Sequence, residues 1–100
     1  MNTFNINDRV TLTRATKKYA CKGGTVIDTI QLYTNNKLMY PQLKYDLSNT
    51  HRNDIMISTD PEFGDAIDGY VIRAHNFLGE YKETITCTEG MVRKLNYYGK

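Results

Sequence analysis

Residues 4–30 read FNINDRVTLTRATKKYACKGGTVIDTI and carry the strongest structural signals of the chain. Val10 and Leu12 alternate with polar residues, a pattern typical of a strand with one buried face. A second run, rich in β-branched residues, covers residues 25–32. It directly follows Gly23 and Gly24, where we expect the backbone to need either a positive φ or a close approach to a neighbour. These residues therefore predict two strands joined by a basic connection.

The sequence predicts further strands after this stretch. Residues 34–37 (TNNK) form a turn signal between two apolar runs and indicate a hairpin. Alternation over residues 43–47 and the short apolar run 55–57 indicate two more strands. Residues 70–77 and 81–88 are rich in strand-forming residues and are separated by the turn-like sequence LGE, which predicts a second hairpin.

Two segments carry helix signals. Asp60 is a candidate N-cap and Pro61 suits the first helical position, so we expect one or two helical turns that end near Gly69. Residues 86–89 (TCTE) fit a capping box and would begin a terminal helix. A last strand over residues 92–95 is the alternative for this terminal segment.

The sequence ACKGGTVI at residues 20–27 resembles the KOW-type turn of small SH3-like barrels, which occur in transcription elongation factors and ribosomal proteins. The family pattern is a glycine, one variable residue and an aliphatic residue at the start of the second strand, and Gly24, Thr25 and Val26 fit it. Residues 7–12 (NDRVTL) are similar to the family's opening strand. The resemblance covers roughly residues 5–32 and implies a small barrel that handles nucleic acid or its machinery.

The length of 100 residues fits one domain, residues 1–100. We expect an α+β fold that is mostly β: a small bent antiparallel sheet or an SH3-like partial barrel with one or two short helices. No apolar run approaches the roughly 20 residues that span a bilayer, and no signal peptide is apparent. The expected location is therefore the cytoplasm, where Cys21 and Cys87 would be reduced thiols.

Charge is distributed unevenly along the chain. Residues 1–44 carry seven Lys and Arg against two Asp, whereas residues 45–70 carry six Asp and Glu against one Arg. Cations neutralise phosphates, and an exposed aromatic ring can stack on a base. The candidate binding residues are the cations and the tyrosine of the basic connection, with two lysines that would extend the patch: Arg14, Lys17, Lys18, Tyr19, Lys22, Lys37 and Lys44.

The sequence offers little support for catalysis or for a bound cofactor. Histidines at 51 and 75 and cysteines at 21 and 87 lack the short-range pairs that are typical of zinc sites. No motif places a nucleophile beside a base, and the sequence KGGT lacks the earlier glycine of a phosphate-binding loop. We therefore predict a protein that is not an enzyme and has no metal, no cofactor, no small-molecule substrate and no membrane contact.

The leading hypothesis is a non-enzymatic binding module that contacts nucleic acid, or a protein of the nucleic-acid machinery, through the basic loop. The alternative is a viral or mobile-element protein, an inhibitor that binds and occludes a host or defence protein. The small size and the split charge suit both, and the acidic segment 54–68 offers a surface for a basic partner. A structural subunit that associates with itself is a third possibility.

Overall fold

The computed structural model describes residues 4–12, 23–39, 57–76 and 78–94. In these ranges the chain forms one sheet in which every strand pair is antiparallel, so the expectation of a mostly β fold is confirmed. The strand order is β5-β4-β2-β1-β6, and β3 pairs with β2 beside this path. The strands are β1 Arg9–Leu12, β2 Gly23–Thr34, β3 Ile57–Ser58, β4 Asp65–His75, β5 Tyr81–Thr88 and β6 Val92–Lys94.

Strand β1 forms where apolar and polar residues alternate. Val10 and Leu12 are buried, as expected from this pattern. A tight turn precedes it, in which the amide of Asp8 donates to the carbonyl of Asn5 over 3.0 Å. Asn7 takes a φ of 79° in this turn, a value that asparagine tolerates better than most residues. Its amide donates to the carbonyl of Val26 over 2.7 Å, which ties the turn to β2.

Gly24 needs space rather than an unusual backbone angle. Neither glycine of the pair before residue 25 has a positive φ, so the close approach is the alternative that is confirmed. A Cβ on Gly24 would lie 2.5 Å from Cγ2 of Ile72 and 2.6 Å from the carbonyl oxygen of Arg73. The close approach of β4 to β2 at this position therefore requires glycine.

A β-bulge at Ile27 changes which face of β2 is buried. Val26 lies opposite Ile72 on β4, but Asp28 lies opposite Val71, so Ile27 is an extra residue in β2. Because side chains alternate along a strand, the bulge places the even-numbered residues of β2 on opposite faces before and after it. Val26 and Leu32 are both fully buried, yet they face opposite sides of the sheet.

The two faces bury two groups of side chains. One face covers the main core: Phe4, Val10, Leu12, Val26, Tyr70, Ile72, Ala74, Ile85, Cys87, Met91 and Val92. Within it the rings of Phe4 and Tyr70 meet edge to face at 5.4 Å, and the Phe4 amide donates to the Tyr70 hydroxyl over 3.3 Å. The opposite face, at the far end of the β2–β4 pair, buries a smaller group: Leu32, Thr34, Ile57 and Ile67.

The strand register shows that the sheet is strongly bent. Thr88 ends β5 at one edge of the sheet, and Val92 begins β6 at the opposite edge. The register also offsets these two residues by about seven positions along the strand direction. In a flat sheet these two residues would be about 30 Å apart. The three residues Glu89–Met91, which form a 3₁₀ turn, join them. Because four peptide units reach at most about 14 Å, the sheet must curl so that its opposite edges approach.

The helical expectations need correction, because the described ranges contain short 3₁₀ turns and no α-helix. Asp60 does cap the turn Pro61–Phe63, where its Oδ1 accepts from the Glu62 amide over 3.0 Å. The turn does not continue to residue 69, since β4 already begins at Asp65. The terminal helix is likewise wrong over residues 92–94, which form β6 as in the alternative interpretation.

The two predicted hairpins have different outcomes. The hairpin between β4 and β5 is confirmed, and Gly79 takes a φ of 87° in its loop. The hairpin expected at residues 34–37 is not seen, because Lys37–Met39 form a 3₁₀ turn and the end of β2 pairs with β3 and β4. The strand predicted at residues 43–47 lies outside the described residues.

Candidate nucleic-acid interface

Only one of the seven predicted binding residues, Lys37, lies in the described ranges; Arg14, Lys17, Lys18, Tyr19, Lys22 and Lys44 lie outside them. Lys37 follows the end of β2 at Thr34, whereas the basic connection joins the other end of β2 at Gly23. Twelve strand residues separate these two ends by roughly 35 Å. The structure therefore does not bring Lys37 close to the described ends of the basic connection.

The structure brings together a different group of cations, on the outer face of the sheet. Arg9 on β1 lies opposite Thr25 on β2, and Thr25 lies opposite Arg73 on β4. Arg73 in turn lies opposite Thr84 on β5. Directly opposite residues share a face, so these four side chains form one row across four strands. None of the four is buried, which places the row on the side away from the main core.

A second row lies beside the first on the same face. Arg93 on β6 lies opposite Thr11, and Thr11 lies opposite Gly23. Gly23 lies opposite His75, which lies opposite Tyr81. Arg93 is exposed, and Thr11 and His75 are half-buried. We call the surface formed by the two rows the basic face; its side-chain members are Arg9, Thr11, Thr25, Arg73, His75, Tyr81, Thr84 and Arg93.

The spacing of the three arginines follows from the sheet geometry. The backbones at Arg9 and Arg73 are two strand spacings apart, about 10 Å. Arg93 is a diagonal neighbour of Arg9 across the β1–β6 pair, at a distance of about 7–8 Å. The three arginines thus lie on one continuous strip of the outer sheet surface, which follows the curve of the sheet.

Tyr81 is the aromatic member of the basic face, and two contacts hold its side chain. The guanidinium carbon of Arg73 lies 4.1 Å from the centroid of the Tyr81 ring, a cation–π contact. The Tyr81 hydroxyl lies 3.1 Å from Oγ1 of Thr84, at hydrogen-bond distance. Tyr81 as a residue is nevertheless 47% exposed. The ring is therefore oriented by its neighbours while much of its surface remains accessible.

The two rows of the basic face contain no acidic residue, and no carboxylate in the described ranges forms an ion pair with their arginines. Asp28, opposite Val71, is an exposed acid in the next row of the same sheet face, and its carboxylate accepts from the Thr29 amide over 2.8 Å. The carboxylate of Asp8, the residue before Arg9, accepts from the Asn5 amide over 2.9 Å. Glu80 lies 3.8 Å from Lys82 in the β4–β5 hairpin. Glu83 lies opposite Ala74 and so belongs to the other face of the sheet. The arginines of the basic face therefore form no ion pair with these acids, although Asp28 lowers the net positive charge next to Arg73.

Acidic residues lie at the far end of the β2–β4 pair. They occupy the turn before β4 and its first residues: Asp60, Glu62, Asp65 and Asp68. Eight residues along β4 separate Asp65 from Arg73, about 26 Å. In the described ranges, acidic residues therefore gather at the far end of the β2–β4 pair, where Lys37 also lies, and the arginines of the basic face lie toward the other end.

Sequence reasoning missed the arginines of the basic face because they lie far apart along the chain. Arg9, Arg73 and Arg93 meet only through the pairing of four strands. Each does alternate with buried residues of its own strand, as Arg73 does between Ile72 and Ala74. That alternation was a usable signal that these cations share the outer faces of their strands.

The described residues offer no group of three or more His, Cys, Asp or Glu that would hold a metal ion. Among the same residues no helix has the length and apolar character to cross a membrane. Cys87 lies in the main core, whereas Cys21 is outside the described ranges. The described thiol, Cys87, faces the main core, whereas the described imidazole, His75, belongs to the basic face on the other side of the sheet.

The chain matches no protein-family model, and searches of curated proteins and of solved structures find no similar protein. The functional assignment therefore depends on the geometry and charge of the basic face.

Proposed function

We propose that this protein is a non-enzymatic binding module that contacts nucleic acid through the basic face. The observation that carries the proposal is the placement of Arg9, Arg73 and Arg93 on one strip of the outer sheet surface, with threonine hydroxyls between them. Guanidinium groups pair with phosphate through two parallel hydrogen bonds, and hydroxyls are frequent phosphate contacts. An anionic polymer that crosses the strands would meet all three arginines in turn.

The proposal also assigns the bent sheet to the class of SH3-like partial barrels. Its support is the curvature, since the turn Glu89–Met91 joins strands from opposite edges of the sheet. The main core lies inside this curve, so the basic face is the convex outer side. The predicted basic connection begins after Leu12 and returns at Gly23, next to the second row of the basic face. The proposal includes the cations of that connection as further contacts to the same ligand.

The experiment measures how the affinity for a nucleic acid depends on salt. Each phosphate contact contributes about 0.7–0.9 to the slope of log K against log salt concentration. The double variant Arg9→Gln with Arg93→Gln should reduce that slope by about 1.5. It should leave the melting temperature nearly unchanged, because both side chains are exposed.

Lys37→Gln is the matched control. It removes one exposed cation, against two in the double variant, and does so at the far end of β2, so its change is compared with half of the change in the double variant. We expect its slope and affinity to equal those of the wild type. An unchanged slope in the arginine double variant, or an equal loss in the control, would show that the basic face is not the contact surface.

The alternative function is an inhibitor that occludes a host or defence protein. It differs from the proposed function in its partner, which would be a protein rather than nucleic acid. A pull-down from bacterial lysate with and without nuclease treatment distinguishes the two functions. Loss of all partners after nuclease supports nucleic-acid binding. Retention of a single protein after nuclease, independent of Arg9 and Arg93, supports the inhibitor and contradicts the proposal.

A further inference from the structure

We infer that the nucleic acid bound by the basic face is single-stranded, and that the ring of Tyr81 stacks on an unpaired base. This inference rests on the proposed function and specifies its ligand. The evidence for it is the partly exposed ring of Tyr81 beside Arg73. Binding of phosphates alone does not require an aromatic ring at this position.

The ring of Tyr81 has the properties of a stacking platform. The Arg73 guanidinium lies over one face of the ring, and the residue as a whole is 47% exposed. The hydrogen bond of its hydroxyl with Thr84 restrains the ring, so little conformational entropy is lost when a base stacks on it. Proteins that bind single strands without reading sequence combine positive charge that follows the backbone, usually in a groove, with aromatic rings on which bases stack.

The position of Tyr81 also sets the path of the single-stranded nucleic acid across the sheet. Tyr81 lies at the β5 end of the second row, and Arg93 lies at the β6 end of the same row. A single strand that follows this row has a base on Tyr81 and its backbone phosphates near Arg73, Arg9 and Arg93. The path crosses five strands of the sheet, about 19 Å, which is the length of a few nucleotides.

A duplex fits the same surface poorly for two reasons. Its bases are already stacked on each other, so none can lie on the ring of Tyr81. The basic face is convex, because the core lies inside the curve of the sheet. A convex surface meets a straight, stiff duplex over a short distance, whereas a flexible single strand can follow its curvature.

The experiment compares two probes by fluorescence anisotropy: oligo(dT) of about 12 nucleotides, and a blunt-ended duplex of about 12 base pairs, which has no unpaired base, with affinities compared per phosphate. Both are titrated at the same low salt concentration. We expect the single strand to bind at least about 10-fold more tightly than the duplex. Tyr81→Leu should weaken single-strand binding by about 5- to 150-fold and leave duplex binding unchanged.

Tyr81→Phe is the matched control, because it keeps the ring and removes the hydrogen bond with Thr84. Its single-strand affinity should stay within about 3-fold of the wild type. Tyr81→Thr, with a residue that favours strands, replaces the leucine variant if the latter does not fold. The salt slope should be the same for wild type and both stacking variants, since no phosphate contact is removed.

Equal affinity for the duplex, or a Tyr81→Leu variant that binds the single strand as tightly as Tyr81→Phe does, overturns this inference. Either result leaves the proposed function intact if Arg9→Gln with Arg93→Gln still lowers the salt slope. Failure of the proposed function has a different signature, in which neither probe binds or the arginine variants leave the slope unchanged.

Discussion

Replacement of Gly24 by alanine should destabilise the fold strongly, whereas the same replacement at Gly23 should not. A Cβ on Gly24 would lie 2.6 Å from the carbonyl oxygen of Arg73 and 3.2 Å from the Cα of Ala74, both of which are backbone atoms of β4. It would also lie 2.5 Å from Cγ2 of Ile72, which is fully buried. Relief of these contacts requires β4 to move away from β2 at the centre of the sheet.

The magnitude follows from the cost of overpacking. Extra methyl groups in a well-packed interior cost about 1–3 kcal/mol, and contact with a backbone places Gly24→Ala at the upper end. The smaller conformational entropy of the unfolded alanine chain returns about 0.4–1 kcal/mol. We therefore expect a net loss of about 2 kcal/mol, which lowers the melting temperature of a chain of this size by about 8–16 °C.

Gly23→Ala is the internal control, because it makes the same chemical change one residue earlier. Its Cβ would lie 3.1 Å from the carbonyl oxygen of Val10 and 3.5 Å from Cε1 of His75, a side-chain atom that can move. Its free energy of unfolding should stay within about 1 kcal/mol of the wild type. Urea unfolding followed by far-UV circular dichroism measures both variants. Losses that agree within about 0.5 kcal/mol would refute the close approach of β4 at Gly24.

Two further predictions concern single hydrogen-bond groups. Asn76→Ala removes the side-chain oxygen that accepts from the amides of Leu78 and Glu80 over 2.9 and 3.1 Å, and should cost about 1–2 kcal/mol in a thermal melt. Leu78→Ala, at the exposed tip of the same hairpin, should change stability by less than about 0.5 kcal/mol, and an equal loss would contradict the role of the Asn76 oxygen. Tyr70→Phe removes the acceptor of the Phe4 amide and should cost about 1–2 kcal/mol in urea unfolding, with no change if that contact does not form in solution.

Patterns in the sequence predicted those elements that depend on interactions between residues close together along the chain. The alternation of Val10 and Leu12 suffices to predict β1, since burial of one face is the reason for the pattern. The sequence Asp60-Pro61 likewise predicts the start of a helical turn, because cap and ring act within that turn. The predicted end of this turn, near Gly69, was wrong because residues 65–69 belong to β4. Ile67 there pairs with Leu32, which lies far away along the chain.

The bulge at Ile27 has no visible signal in the sequence TVIDTI. β2 pairs with β4 along its whole length, yet its two ends bury side chains on opposite faces of the sheet. The extra residue at the bulge allows both. The same limit applies to the candidate site. Loop cations adjacent in sequence were the natural prediction, whereas the basic face depends on the register of strands whose arginines are as far apart as Arg9 and Arg93. Register is a property of the whole sheet and not of any one segment.

The pairing of β1 with β6 has a consequence for how fast this chain can fold. Val10 lies opposite Lys94, a partner more than eighty residues away along the chain, so this pair closes a very long loop when it forms. Proteins with many such distant pairings fold slowly for their size, in milliseconds to seconds. Until β6 arrives, the outer edge of β1 has unpaired backbone groups that can recruit a strand from another molecule. Dilute refolding should therefore give a better yield than concentrated refolding.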